Sequence, residues 1–180
     1  MSSPAQRLAE LFHRRWAVPI LAELHRDRGA KFVTLAYRLS ASQTAVRQTL
    51  DELIQRGFVR RNSGYGHPLR PEYLLTSRGD RLAPECTTLH DALKRRELCD
   101  IGFKKWSMPA LFVIGDGARR FVDVGAALDA SDRAVALTLK DLNEALLVRR
   151  AVVDSFPPSS AYSATKAGEA LLPTLERLCA

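Results

Sequence analysis

The sequence contains no long apolar run and few cysteines, and each absence narrows the class of protein. No stretch approaches the roughly 20 apolar residues that a membrane-spanning helix needs, and residues 1–10 lack the apolar segment of a secretion signal. The three cysteines are widely spaced and form no CxxC pair, which argues against a disulfide framework and a zinc knuckle. We therefore expect a cytoplasmic protein with reduced thiols and no membrane contact.

Motifs of enzymes and of bound cofactors are missing as well. The stretch Gly64-Tyr65-Gly66 opens no helix, so it is not a phosphate-binding loop, and neither a GxSxG nor an HExxH motif occurs. Cys86 and His90 share one helix face, but two further metal ligands are lacking nearby. These absences predict a protein without enzymatic activity, cofactor or metal.

The chain carries an excess of positive charge, nearly all of it in the first half. Over 180 residues there are 27 Lys and Arg against 20 Asp and Glu, a net charge of +7. Residues 1–90 contribute 14 basic against 8 acidic residues, or +6, and residues 91–180 contribute 13 against 12, or +1. This excess favours an acidic polymer as the partner.

The sequence is internally repeated. Residues 32–89 align with residues 121–178 at a constant offset of 89, without a gap, and 20 of the 58 pairs are identical. The segment between the copies is charged and free of Gly and Pro, which predicts a connecting helix rather than a flexible linker. We expect two copies of one fold, as domains over residues 1–92 and 93–180.

Within the first copy, the apolar pattern indicates a series of helices. Apolar residues at helical spacing predict helices over residues 5–12, 16–24 and 32–39. After a short turn, Ser42 is a natural N-cap for a further helix over residues 43–56. Gly57 suits the left-handed position that ends this helix.

A hairpin follows this helix-turn-helix pattern. Residues 58–61 and 72–76 read as strands on either side of a turn-rich loop, which predicts a wing over residues 60–72. Ser77 is then expected to cap a last helix, which Pro84 bends. The predicted fold class is α+β, mainly α, with two tandem winged helix-turn-helix domains related by internal duplication.

These elements resemble the HxlR group of bacterial winged-helix regulators, which is related in fold to the MarR group. The matching residues are Arg14-Arg15-Trp16, Lys31-Phe32, Ser42 to Leu53, Gly57-Phe58-Val59 and Tyr73 to Gly79. The resemblance covers nearly the whole of each copy. It implies a nucleoid-associated regulator of transcription that binds double-stranded DNA sequence-specifically, with the helix over residues 43–56 in the major groove and the wing on the backbone.

The side chains expected to contact DNA are basic or form hydrogen bonds, and they lie on the recognition helix and around the wing. They are Lys31, Ser42, Gln43, Thr44, Arg47, Gln48, Arg60, Arg61, Tyr65, His67 and Arg70. Trp16 and Trp106 are instead expected to be core residues. Some members of the resembled group sense oxidants through an N-terminal cysteine, but Cys99 lies closer to Trp106 than such a residue would. Neither a redox nor a small-molecule effector is supported.

The second copy has lost much of this surface. Its residues at the positions of Gln43, Thr44, Arg47 and Gln48 are Asp132, Arg133, Ala136 and Leu137. Arg133, Arg149 and Arg150 are its remaining candidate contacts. In one hypothesis, the second copy replaces a partner subunit, which gives a covalent pseudo-dimer, or forms the contacts of a larger homodimer. In the other, both copies contact unlike half-sites. The charge difference between the halves favours the first.

A winged-helix protein-interaction or chromosome-architecture factor is the alternative function. Accessory subunits of bacterial condensin also pair two winged helices in a chain of this size. Those subunits tend to be acidic and lack the basic-basic-Trp opening, so the regulator is the preferred interpretation.

Overall fold

The computed structural model describes residues 3–63, 70–115, 119–154 and 159–180. The chain divides into two compact units, one of residues 14–91 and one that combines residues 1–13 with residues 92–180. We call these the amino-terminal unit and the carboxy-terminal unit. No helix in the described ranges combines the length and hydropathy needed to cross a lipid bilayer.

The first copy of the repeat has the order of elements expected for a helix-turn-helix followed by a wing. In chain order they are α1 (Pro4–Leu11), α2 (Ala17–Arg26), α3 (Phe32–Arg38), α4 (Gln43–Gln55), β1 (Val59–Arg61), β2 (Tyr73–Leu75) and α5 (Ser77–Arg95). Strands β1 and β2 pair antiparallel, with Val59 opposite Leu75. The predicted helix-turn-helix, the hairpin and a connecting helix are therefore confirmed.

Helix α4 forms for the reasons that its sequence indicates. The Ser42 side-chain oxygen accepts a hydrogen bond from the backbone N–H of Ala45 at 3.2 Å, which satisfies a donor that the first turn leaves free. Val46, Leu50 and Leu53 then follow at helical spacing and are almost completely buried. The helix ends before Gly57, whose φ of +73° lies in the left-handed region that glycine tolerates.

The second copy repeats these elements and adds a third strand. In chain order they are α6 (Cys99–Gly102), α7 (Ser107–Gly115), β3 (Arg119–Arg120), α8 (Phe121–Leu128), α9 (Asp132–Glu144), β4 (Val148–Val153), β5 (Ser159–Ala164), α10 (Lys166–Glu169) and α11 (Leu172–Leu178). The strand order is β3-β5-β4, with Arg119 opposite Tyr162. An isolated bridge joins the equivalent pair, Ala30 and Tyr73, in the first copy. The two copies therefore share one register.

A Thr-x-x-Gly motif fixes the helix after each wing. Thr76 Oγ1 accepts from Gly79 N at 3.1 Å and donates to the carbonyl of Gly57 at 2.6 Å. The cap of α5 is therefore Thr76, and the expectation that Ser77 caps it was wrong. A Cβ on Gly79 would lie 2.1 Å from the Phe58 carbonyl oxygen, so only glycine allows this close approach. Thr165 and Gly168 form the same arrangement in the second copy.

Helix α1 belongs to the carboxy-terminal unit, although the repeat places it in the first copy. It packs against α7, α8 and α11, and its apolar face of Leu8, Leu11 and Phe12 is buried. The Arg7 guanidinium donates through Nε to the backbone carbonyl of Cys179 at 3.0 Å, which ties α1 to the end of α11. Residues 14–91 therefore lie, in the sequence, between the two segments that together form the core of the carboxy-terminal unit.

Leu146 occupies the position of Gly57 in the second copy, with a φ of +56° and a side chain that is 73% exposed. A left-handed conformation destabilises a residue with a Cβ by about 1–2 kcal/mol. Glycine avoids this strain but lowers stability by about 0.4–1 kcal/mol, because it increases the conformational entropy of the unfolded chain. We expect Leu146→Gly to raise the free energy of unfolding by about 0.5 kcal/mol in urea titrations. Gly57→Leu, where no atom lies within 4 Å of an added Cβ, should lower it. Unchanged stability in both variants would contradict this account.

Candidate nucleic-acid interface

The polar face of α4 is open to solvent. Gln43, Thr44, Arg47 and Gln48 are all exposed, whereas the buried residues of α4 lie on the opposite face. The structure therefore groups four of the predicted contact residues on one accessible surface, which we call the α4 face.

Arg47 is held in place on this face by an aromatic ring. Its guanidinium carbon lies 5.1 Å from the centroid of the Phe32 ring, a cation–π distance. The backbone N–H of Phe32 in turn donates to the Glu72 carboxylate at 3.2 Å. Because the stacked side chain has fewer rotamers to lose, Arg47 can bind a base or phosphate at a lower entropic cost.

Gln48 is oriented by a residue that sequence reasoning assigned to the opening motif alone. Arg14 donates to Gln48 Oε1 at 3.1 Å and forms an ion pair with Glu52 at 3.0 Å. In the second copy, Lys104 and Asp141 form the equivalent ion pair at 2.7 Å. The first basic residue of each basic-basic-Trp opening, Arg14 or Lys104, thus connects the opening to the recognition helix or its equivalent.

The second basic residue of each opening stacks on the tryptophan that follows it. The Arg15 guanidinium lies 5.4 Å from the Trp16 ring centroid, and Lys105 Nζ lies 4.2 Å from that of Trp106. Both tryptophans are only partly buried, so their expected place in the core was wrong. The motif therefore has a structural role, because its second cation covers an indole ring that is partly exposed to solvent in each unit.

Arg60 and Arg61 lie on opposite faces of the wing, because neighbouring residues of a strand alternate. Arg61 donates to the Tyr73 hydroxyl at 3.3 Å and stacks on its ring at 5.6 Å. Burial raises the pKa of Tyr73, so its phenol stays neutral at physiological pH. Arg60 pairs across the ribbon with Leu74. The two arginines cannot form one clamp on a single phosphate.

The remaining predicted contacts are distributed around this surface. Lys31 precedes α3 and is partly exposed, Ser42 caps α4, and Arg70 is exposed shortly before β2. Tyr65 and His67 lie outside the described residues. The sequence analysis missed Val33 and Tyr37 of α3, which are 66% and 86% exposed. Their exposure could have been predicted from the sequence, since both lie between the apolar positions of α3 that are spaced to face the core.

The equivalent surface of the second copy has different chemistry. Asp132, Arg133, Ala136 and Leu137 are exposed on α9, and Leu137 is 54% exposed. Among the wing arginines, Arg149 donates to Ser163 Oγ and Arg150 to Ser160 Oγ, each at 2.8 Å. Strand β3, which the sequence analysis did not predict, adds Arg119 and Arg120. The carboxy-terminal unit therefore presents arginines on its sheet and apolar residues on its recognition-helix equivalent.

Two of the three thiols are kept protonated by burial. Burial raises the pKa of the Cys86 thiol and that of Cys179, which keeps both protonated. His90 Nδ1 lies 3.2 Å from the Arg26 guanidinium. Across the described parts of the chain, His, Cys, Asp and Glu side chains form no group of three that could hold a metal ion.

The fold and the α4 face define a winged helix-turn-helix protein with two copies of the motif. A model of the HxlR-like helix-turn-helix family matches residues 11–97 and, separately, residues 101–180. The chain belongs to this family, as the resemblance of each copy predicted.

Relatives and solved structures match over about one copy. An uncharacterised HTH-type transcriptional regulator of Methanothermobacter thermautotrophicus is 30% identical over 76 residues, which are 42% of this chain and 58% of the relative. YvaP of Bacillus subtilis, also described as an HTH-type transcriptional regulator, is 36% identical over 77 residues, 42% of this chain and 71% of YvaP. Reduced YodB of B. subtilis is similar to 47% of this chain, over 84% of its own length, with 26% identity and a TM-score of 0.43.

Proposed function

We propose that this protein is a transcriptional regulator that binds double-stranded DNA sequence-specifically through its amino-terminal unit. The α4 face carries the proposal, because Gln43, Thr44, Arg47 and Gln48 are exposed together on the second helix of a helix-turn-helix. Such a helix fits the major groove, where amides and guanidinium groups read the edges of bases. The net charge of +6 over residues 1–90 adds attraction to phosphate.

In this proposal the residues around the α4 face position the protein on the duplex. Lys31 and Ser42 lie at the amino ends of α3 and α4, where helix dipoles favour a phosphate. Arg61 and Arg70 contact the backbone from the wing, and Tyr65 and His67 are the other two wing residues that we expect to do so. Arg60 faces the other side of the ribbon, so any phosphate that it contacts is a different one.

We propose that the carboxy-terminal unit serves mainly as a built-in partner, so that one chain forms a pseudo-dimer or half of a larger homodimer. Asp132 and the exposed Leu137 make α9 a poor groove ligand. Arg133, Arg149 and Arg150 would then contribute phosphate contacts outside the bases that are read. The alternative, two unlike half-sites, predicts a longer operator with two sequence-specific parts.

The test is a selection of bound genomic fragments followed by anisotropy titrations at several salt concentrations. We expect saturable binding to a subset of fragments, with a log affinity that falls by about 0.9 per decade of salt for each phosphate contacted. The length and symmetry of the selected site report how many recognition helices are used. No saturable binding at low salt would overturn the proposal.

A protein-interaction or chromosome-architecture factor is the second candidate function. It is favoured by the exposed apolar residues of the carboxy-terminal unit, Val122 at 66% and Leu137 at 54%. In that case the protein would bind another protein through this unit, and DNA only weakly and without sequence preference. The fragment selection separates the two functions, since an architecture factor would enrich no sequence.

A further inference from the structure

A cavity of about 410 Å³ lies beside the wing of the amino-terminal unit, and no residue of α4 is among those that line it. It forms where the end of α2, the two wing strands and the first turn of α5 meet. Its lining residues are Leu24, His25, Arg28, Arg60, Leu74, Leu75 and Asp80. Its volume lies within the range of small-molecule sites, about 300–1,000 Å³.

The backbone places Arg28 at the lip of this cavity through a Schellman turn. Gly29 N donates to the Leu24 carbonyl at 2.9 Å and Arg28 N to the His25 carbonyl at 3.5 Å, the two bonds that end such a helix. Arg28 therefore occupies the left-handed position, with a φ of +55°, where glycine is preferred. The chain tolerates this strain and retains a guanidinium at the lip.

The basic side chains that line the cavity lack the acidic partners that neighbouring arginines have. Among the described residues, no hydrogen bond or ion pair engages the side chain of His25, Arg28 or Arg60. Nearby Arg26 forms ion pairs with Glu23 and Asp91 at 2.5 Å, and Arg38 with Glu23 and Asp27. Glu23, Asp27 and Asp91 are therefore already paired with other arginines, and Asp80 is the acid that remains in the lining, so Arg28 and Arg60 together leave a net positive charge there.

Part of the cavity wall is apolar. Leu24 is completely buried, and Leu74 and Leu75 are partly buried. Leu74 is fixed there because it packs against Gly29, where a Cβ would lie 2.6 Å from Leu74 Cδ2. Apolar walls with a few polar groups at one side suit a ligand that has an apolar body and one charged end. Asp80 is the acidic group in the lining and is not part of the set of basic side chains.

The second copy has not kept this set of basic side chains. Gly115 occupies the position of His25, and a Cβ at this position would clash with the Leu172 side chain. Arg149, the counterpart of Arg60, donates to Ser163, which occupies the position of Leu74. The winged-helix fold therefore does not itself require an unpaired cationic cavity.

We propose that this cavity binds a small amphipathic anion, with its carboxylate or phosphate between Arg28 and Arg60 and its apolar body against Leu74 and Leu75. Charge-assisted hydrogen bonds to guanidinium groups supply the specificity for an anion. Burial of the apolar body supplies much of the affinity. Binding is tested without DNA, because Arg60 is also one of the side chains proposed to contact the duplex.

Calorimetric titration of the full chain without DNA tests this site, with octanoate and octyl phosphate as probes and 1-octanol as the neutral control. We expect saturable binding of at least one anion, and the stronger of the two identifies the preferred head group. Arg28→Gly and Arg60→Ala should each weaken binding about tenfold or more. Arg28→Gly suits the backbone, so a folding defect would not explain its loss of binding.

Two further variants complete the test. Arg149→Ala removes the same charge at the equivalent position of the second copy and should leave affinity unchanged, whereas Asp80→Asn should raise it severalfold by removing a repulsive charge. The proposal is overturned by failure of both anions to bind, by equal affinity for 1-octanol, or by an Arg149→Ala loss that matches that of Arg60→Ala. A regulator that binds DNA but neither anion would refute this site alone.

Discussion

Replacing Arg47 with alanine should weaken binding to the selected operator by about five- to a hundredfold, the effect of losing one base-reading guanidinium. The side chain is exposed on the α4 face and stacked on Phe32 at 5.1 Å, so it is ordered before DNA arrives. Phe32→Leu should reproduce a smaller part of the loss, because it removes the stacking and keeps the charge. Fluorescence anisotropy with the operator and with an unrelated duplex measures both variants.

The control for Arg47→Ala is Arg133→Ala, which removes the same charge from the exposed surface of α9. We expect Arg133→Ala to reduce affinity for both duplexes slightly and equally, as the loss of a phosphate contact does. Arg47→Ala should instead reduce the preference for the operator over the unrelated duplex. An Arg47→Ala variant that binds the operator as tightly as the wild type would remove α4 from the proposed reading surface.

Leu8→Ala should lower the free energy of unfolding of the carboxy-terminal unit by about 2–5 kcal/mol, the cost of a cavity in a closed core. Leu8 is completely buried in α1, which packs against α7, α8 and α11. Each unit contains one tryptophan, Trp16 or Trp106, so variants with either tryptophan replaced by phenylalanine report on the units separately. The Trp106 transition should shift to lower urea concentration more than the Trp16 transition.

Leu137→Ala is the matched control for Leu8→Ala. It makes the same change in the same unit at a side chain that is 54% exposed, and should alter stability by less than about 0.5 kcal/mol. If Leu8→Ala shifted the Trp16 transition and left that of Trp106 in place, α1 would belong to the amino-terminal core in solution. The use of two probes also shows whether the units unfold together.

Much of the fold could be predicted from the repeat, because local interactions fix its helix ends. Ser42 and Ser131 cap equivalent helices, and α9 begins and ends 89 residues after α4, as the offset requires. The cap of α5 was misplaced by one residue because Thr76 and Ser77 are adjacent hydroxyl residues. The sequence alone did not show which of them accepts the Gly79 N–H.

Two features could not be predicted, since they depend on tertiary packing. An amphipathic pattern shows that one face of α1 is buried but not which copy covers it, and two similar copies offer similar surfaces. Strand β3 has two residues, both arginine, so it carries no apolar alternation to reveal it. On the α4 face, exposure of the polar residues was predictable, whereas the links from Arg14 to Gln48 and from Phe32 to Arg47 join residues that are distant in sequence.

The position of α1 also sets the order in which the protein can be completed on the ribosome. Helix α1 is translated before all its packing partners, and the last of these, α11, ends at Leu178. Residues 14–91 can meanwhile form their own core, since domains generally fold as units during synthesis. The apolar face of α1 must therefore stay uncovered in the nascent chain at least until α7 and α8 have been made, and its packing is complete only after α11 has been added.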